Sequence, residues 1–159
     1  MARILRLPPI TVDSREPLRI DYELKREGFE VTREKLETGD YLWVCRERVP
    51  IVVERKTVHD LISSITGRQA NGKSRATNQI DRLKEFPVPV LLIDGYPRLS
   101  GGGRIMRGSR ETQWTQAGID NWLLTAQGMG IRVVWAQEDR LAERLRHLAQ
   151  YYEKEKHGG

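Results

Sequence analysis

The sequence predicts an α/β domain in which a central mixed β-sheet is flanked by helices. Two observations predict it. Strand-like segments follow one another closely near the start, as antiparallel neighbours do, and strands alternate with helices afterwards. Val90-Leu91-Leu92-Ile93 is moreover a nearly continuous apolar run, as expected of a central strand covered on both faces.

The first element is a short strand, Ile10-Thr11-Val12, which ends in the polar cluster Asp13-Ser14-Arg15-Glu16-Pro17. Pro17 suits the first turn of a helix running to about Lys25, where a missing N–H does no harm. Ile20 and Leu24 lie four apart and face inward, and Gly28 stops the helix. Phe29 to Leu36 is a β-branched and charged strand, and Thr38-Gly39-Asp40 is a turn. Tyr41 to Val44 forms the next strand, and Arg46 to Pro50 connects it onward. Ile51-Val52-Val53-Glu54 is the strongest strand of the first half, and it ends in three charges, Glu54-Arg55-Lys56.

Thr57 to Ile65 reads as a helix with Val58, Leu61, Ile62 and Ile65 as its apolar stripe. Residues 67–76 are polar, basic and glycine-containing, which predicts a mobile loop. Asn78 to Phe86 is a helix with Ile80 and Leu83 inward, broken by Pro87 and Pro89. After the Val90–Ile93 strand, residues 97–111 are rich in glycine and arginine without periodicity and predict a flexible loop. A helix is expected from Glu111 or Thr112 through Ala126, with Trp114 and Trp122 on nearly the same face. Either ordinary packing or a dimer interface would cover them. Ile131 to Trp135 is the last strand, with Trp135 in the core. Asp139 to Tyr152 is the last helix, with Leu141, Leu145, Leu148 and Tyr152 on one face.

The chain has 159 residues, 38% hydrophobic and 31% charged, enough for one cooperative core and short of two. A single domain over 1–159, with its core at about 10–150, is therefore expected. Lys plus Arg total 27 against 22 Asp plus Glu, a net charge of +5 that leans toward a polyanionic partner. One cysteine, Cys45, excludes an internal disulfide and a four-cysteine zinc cluster, and His59, His147 and His157 fall in no metal-ligand spacing. No apolar run approaches membrane length and the start does not read as a signal peptide, so an intracellular domain is expected, in cytoplasm or nucleoid, or host cytoplasm if viral. GRQANGKS lacks Walker spacing and a preceding strand, and Gly101-Gly102-Gly103 is no dinucleotide motif. No nucleotide cofactor is expected.

Charges at strand ends are the informative feature. Asp13 follows one strand, Asp40 precedes another, Glu54 closes a third and Lys56 lies two residues on. Neighbouring strand ends can gather such groups on one rim, where carboxylates suit Mg²⁺ or Mn²⁺ and need no histidine or cysteine. If the strand persists, Glu54 and Lys56 share a face and Arg55 points the other way. The competing reading is that these are ordinary turn residues and charged strand ends. Thr57-x-x-Asp60 fits a helix-capping box as well as a functional carboxylate, and Glu16 suits a helix start through the dipole. Arg15 can pair with Asp13 or Glu16 or meet a phosphate.

Gly39-Asp40, then Glu54-Arg55-Lys56, three residues and Asp60, with Val12-Asp13-Ser14-Arg15-Glu16 upstream, resembles the nuclease domain of the XPF/Mus-type structure-specific endonucleases. The resemblance covers roughly residues 10–150. It implies a restriction-endonuclease-like fold and divalent-metal-dependent hydrolysis of DNA phosphodiesters, on branched, flap or junction DNA such as a Holliday junction, in repair, recombination or replication. By resemblance, Asp40, Glu54 and the backbone carbonyl of Arg55 bind Mg²⁺ or Mn²⁺, and Lys56 assists hydrolysis. Asp13 binds or orients the metal, and Asp60 matches the final acidic position. Family members usually add helix-hairpin-helix repeats and dimerise. No such repeat is present here, so a homodimer or a separate helix-hairpin-helix partner is expected to supply the grip. Candidate DNA contacts are Arg15, then Arg68, Lys73, Arg75, Gln79 and Arg82, and in the second glycine-rich segment Arg104, Arg107 and Arg110. A less selective nuclease of phage or defence type, and a non-catalytic DNA-binding or partner subunit, are the alternatives.

Overall fold

The computed structural model describes residues 6–154; residues 1–5 and 155–159, with His157 and both ends of the expected domain, lie outside the described residues. Its elements run β1 (Ile10–Asp13), α1 (Arg19–Arg26), β2 (Val31–Glu34), β3 (Tyr41–Val44), β4 (Pro50–Lys56), α2 (Val58–Thr66) and α3 (Arg75–Leu83). They continue as β5 (Val88–Asp94), β6 (Arg104–Arg107), β7 (Arg110–Thr115), α4 (Gln116–Gly128), β8 (Arg132–Ala136) and α5 (Leu141–Glu153). Six strands form one mixed sheet in the order β2-β1-β3-β4-β5-β8. β3 is antiparallel to both β1 and β4, whereas β4, β5 and β8 are mutually parallel. Antiparallel pairing of the early strands is thus confined to β1–β3 and β3–β4; β2 pairs parallel to β1 with α1 as the crossover, and the later helices likewise serve as crossovers between parallel strands.

Each face of the sheet carries its own core. Ile20 and Leu24 of α1 and Leu141, Leu145 and Leu148 of α5 pack with Val12, Tyr41, Ile51, Val53 and Leu92 on one side. Leu61 of α2, Ile80 and Leu83 of α3, and Ile119 and Leu123 of α4 pack with Val52, Leu91 and Ile93 on the other. β4 shows the underlying rule. Its side chains alternate, so Ile51, Val53 and Arg55 face the α1–α5 layer while Val52, Glu54 and Lys56 face the α2–α3–α4 layer. The strand persists through Lys56, which meets the condition for placing Glu54 and Lys56 together.

The main departure from the sequence reading lies at residues 97–115. The expected flexible loop contains a hairpin, β6–β7, with Arg107 opposite Arg110 at its end. β7 also takes up the residues expected to begin the helix, so α4 starts at Gln116 and Trp114 is a strand residue, not a helical neighbour of Trp122. Thr115 caps α4 by accepting the Gly118 amide at 3.1 Å. Trp114 and Trp122 both pack against the buried cluster that holds Ile119, which gives them an ordinary outlet. Trp135 is half-buried, stacked on Tyr96 with ring centroids 5.3 Å apart. The α2–α3 loop is internally hydrogen-bonded, with the Gln69 amide donating to the Lys73 carbonyl at 2.9 Å.

One glycine is required by the site's backbone. Gly39 has φ +81°, and a Cβ there would stand 3.2 Å from Val52 Cγ1 and 3.3 Å from the Val53 carbonyl. Gly39→Ala should destabilise the protein by about 1–3 kcal/mol, read as a lower urea midpoint with an unchanged denaturant slope; an unchanged midpoint would show that the turn relaxes freely.

Candidate active site

The rim at the ends of β1 and β4 and the start of β3 is organised around Asp40. Its amide donates to the Val53 carbonyl at 2.8 Å, and its carbonyl accepts the Asp13 amide at 2.8 Å. Its carboxylate is held by the Arg55 amide at 2.8 Å. Asp13, Asp40 and Glu54 thereby line one open pocket of about 270 Å³, with Arg15 beside them and Gln79 and Arg82 entering from α3.

The two central carboxylates strain against each other. Burial and the charge of Glu54 push Asp40 up to about 7, against the Arg55 amide that favours the charged form. Glu54 is raised as well, by burial first, with Lys56 opposing and Glu16 adding to the rise. Lys56 Nζ lies 3.8 Å from Glu54 Oε1. Burial lowers Lys56 while Glu54 and Asp40 pull it back.

Asp13 is differently placed. It is buried and fully engaged: Arg15 Nε donates to it at 2.7 Å and the Leu36 amide at 2.9 Å. Burial works against its charge, but these hydrogen bonds and Arg15 outweigh it and hold the carboxyl below its usual range. Asp60 is exposed in the first turn of α2, where its amide donates to Thr57 Oγ1 at 3.1 Å. Thr57 thus supplies its half of the capping box, and the Asp60 carboxylate is not among the groups lining the acidic pocket.

On the opposite face of β4, Arg55 reaches Glu16 at 3.1 Å and Asp94 at 3.1 Å, and the Tyr41 hydroxyl donates to the same Glu16. Burial disfavours the guanidinium charge, yet Glu16, Tyr41 and Asp94 reverse the balance and keep it protonated. Glu16 is thus a counter-charge under the rim, which its place at a helix start did not reveal.

The expected DNA contacts divide into two groups. Gln79 and Arg82 line the acidic pocket, and Arg75, the first residue of α3, meets Ser64 beside Lys56. Arg68 and Lys73 lie in the α2–α3 loop, Lys73 paired with Asp81 at 3.2 Å. Arg104, Arg107 and Arg110 belong to the hairpin, and Arg104 donates to the Gln113 carbonyl at 2.9 Å. None of these five lines the pocket. Sequence reasoning missed Ser64, a serine on the apolar stripe of α2 in line with Val58 and Leu61, and fully buried.

Among the described residues no three His, Cys, Asp or Glu side chains are grouped to hold a metal. The donor set at the pocket nevertheless fits a hard divalent cation. Asp40 and Glu54 are two carboxylates whose mutual repulsion a cation would relieve. Gln79 Oε1, on the same pocket, is buried without a hydrogen-bond partner and is a third hard oxygen.

The family model of the ERCC4 domain matches residues 12–149. The chain belongs to the ERCC4 domain family. Its fold is similar to XPF from Aeropyrum pernix, with a TM-score of 0.69 at 24% identity, over 93% of this chain and 66% of that one. It is similar also to XPF from Aeropyrum pernix in complex with DNA, with a TM-score of 0.63 at 25% identity, over 91% of this chain and 66% of that one. The chain spans about two thirds of the length of both. No curated protein matches it by sequence. This ERCC4 domain is thus the XPF-type nuclease domain that the Gly-Asp and Glu-Arg-Lys motifs resemble, and its mixed sheet between helices agrees with that fold.

The raised carboxyl predicts how the metal-free protein responds to pH. Folded Asp40 keeps a proton that the unfolded chain has released, so folding takes up a proton between about pH 4 and pH 7. Stability in EDTA should therefore fall as pH rises through that window, by a few kcal/mol at most (on the order of 1 kcal/mol per pH unit). Thermal unfolding of wild type and Asp40→Asn from pH 5 to 8 checks this: the variant should lose most of the slope and melt higher at pH 7.5. Parallel slopes would contradict the repulsion.

Proposed function

We propose that this domain is a divalent-metal-dependent DNA endonuclease that hydrolyses phosphodiesters in branched, flap or junction DNA. The observation that carries the reading is the half-buried Asp40–Glu54 pair, destabilised by its own charge, with Lys56 beside it. Asp40, Glu54 and the Arg55 carbonyl would hold Mg²⁺ or Mn²⁺, with Gln79 Oε1 close to the set. When bound, such an ion lowers the pKa of a water and polarises a phosphoryl oxygen.

The protein's own groups supply the rest. Arg82, which lines the same pocket from α3, presents donors that orient the phosphate. Water attacks phosphorus, a new P–O bond forms and the ester P–O bond opposite it breaks, so configuration inverts without a covalent enzyme intermediate. The Lys56 ammonium offsets negative charge that grows on the phosphate during attack. Asp13, occupied by Arg15 and Leu36, orients the rim instead of meeting the ion directly. Asp60 supports Lys56 through its charge.

The net charge of +5 supports a DNA partner, and so does the likeness to XPF from Aeropyrum pernix in complex with DNA. Selectivity for branched DNA in repair, recombination or replication, and a homodimer or helix-hairpin-helix partner, are part of the same proposal. No helix among the described residues is long and apolar enough to cross a membrane, which fits the intracellular site we propose.

End-labelled single strand, duplex, flap, fork and four-way junction, incubated with Mg²⁺ or Mn²⁺ and with EDTA, test the reading. Metal-dependent cutting of branched substrates is expected, with at least ~10²-fold loss in Asp40→Ala and Glu54→Ala. Equal cutting of all duplexes would favour a less selective nuclease. Folded protein that binds the panel and cuts nothing would favour a non-catalytic subunit.

A further inference from the structure

Ser64 is fully buried, yet it occupies a core-facing position of α2 in line with Val58 and Leu61. A hydroxyl there costs stability unless it is satisfied. It is satisfied by cations. Lys56 Nζ donates to Ser64 Oγ at 3.3 Å from the end of β4, and Arg75 donates to the same atom from α3, with Nε and Nη2 each at 3.4 Å. Two positive groups from separate elements thus converge on one neutral acceptor, which leaves their mutual repulsion uncancelled.

Lys56 has Glu54 at 3.8 Å. Arg75 makes no ion pair among the described residues, although Arg15, Arg33, Arg55, Arg140 and Arg146 each meet a carboxylate. It is also exposed. One edge of its guanidinium is anchored on Ser64, so the donors of Nη1 remain for a ligand. A planar fork held by one edge, next to an ammonium, suits a tetrahedral anion with two free oxygens.

We propose that Ser64 yokes Lys56 and Arg75 into a grip for one DNA backbone phosphate at the edge of the acidic pocket. The proposal rests on the nuclease reading for its ligand. Ser64 acts through the two cations and is a positioning residue; Arg75 touches the phosphate. The grip joins the end of β4 to the start of α3, which α2 and the α2–α3 loop separate in sequence, so the hydroxyl fixes a spacing that neither element sets alone.

Fluorescence anisotropy with a fluorescein-labelled flap DNA in EDTA separates this from catalysis. Arg75→Gln should weaken binding about 10-fold, the scale of one charge-assisted hydrogen-bond pair. Ser64→Ala should weaken it several-fold, and Ser64→Ala with Arg75→Gln should be weakened by clearly less than the product of the two single effects, because only the Lys56 arm of the yoke is left for Ser64 to act on. Arg68→Ala, an arginine outside the yoke, should add fully to Ser64→Ala. In Mg²⁺, Arg75→Gln and Ser64→Ala should both raise KM for flap cleavage, whereas loss of folded enzyme would lower apparent kcat alone. Additive Ser64 and Arg75 effects, or wild-type affinity in Arg75→Gln, would overturn the proposal, and the latter holds even if Ser64→Ala fails to fold. Wild type that binds with this coupling and never cuts would leave the grip standing and remove the nuclease reading. Cutting with additive effects would do the reverse.

Discussion

The rim depends on the backbone of Asp40, which is hydrogen-bonded in two directions at once: to Val53 of β4 through its amide and to Asp13 of β1 through its carbonyl. A three-strand junction of this kind fixes the spacing of the acidic groups before any side chain is considered. It also explains why glycine precedes Asp40. The chain must arrive with positive φ and with Val52 and Val53 close against it, and any Cβ would push the junction apart. The Gly-Asp dipeptide is therefore a backbone requirement followed by a chemical one.

β4 divides two electrostatic tasks between its faces. Toward α2 and α3 it carries Glu54 and Lys56, where charges are crowded and imperfectly compensated. Toward α1 it carries Arg55, whose charge is met on both sides by Glu16 and Asp94 and reinforced by Tyr41. The second arrangement is balanced and holds the strand end still; the first is unbalanced and ready for a ligand. Buried ion pairs contribute little net stability by themselves, so the value of the Arg55 cluster lies in fixing orientation.

Much of this was legible in the sequence because periodicity and charge position are local properties. The β-branched run at 51–54 and the apolar run at 90–93 identified the central strands, and the three charges that follow the first located the rim. The hairpin at β6–β7 was not legible. Glycine and arginine dominate its sequence, and its strands are held by mutual pairing rather than by an alternating apolar face, apart from the buried Ile105. Asp13 was legible as an acidic rim residue but not as one occupied by Arg15 and the Leu36 amide, because those partners follow from how β2 leaves the sheet. Ser64 was hidden for another reason. A serine in an apolar stripe looks like a tolerated polar substitution until the two cations that reach it are placed by tertiary packing.

The alternation along β4 also makes the Glu-Arg-Lys triplet a proofreading device for strand pairing. A slip of one residue against β3 and β5 would rotate Arg55 into the acidic pocket and press Glu54 and Lys56 onto the aliphatic layer under α1 and α5. Glu16 and Asp94 would then lose their cation together, leaving two half-buried carboxylates unpaired. A misaligned sheet therefore fails on both faces at once. The residues that equip the rim for chemistry are the same ones that make its incorrect assembly unfavourable.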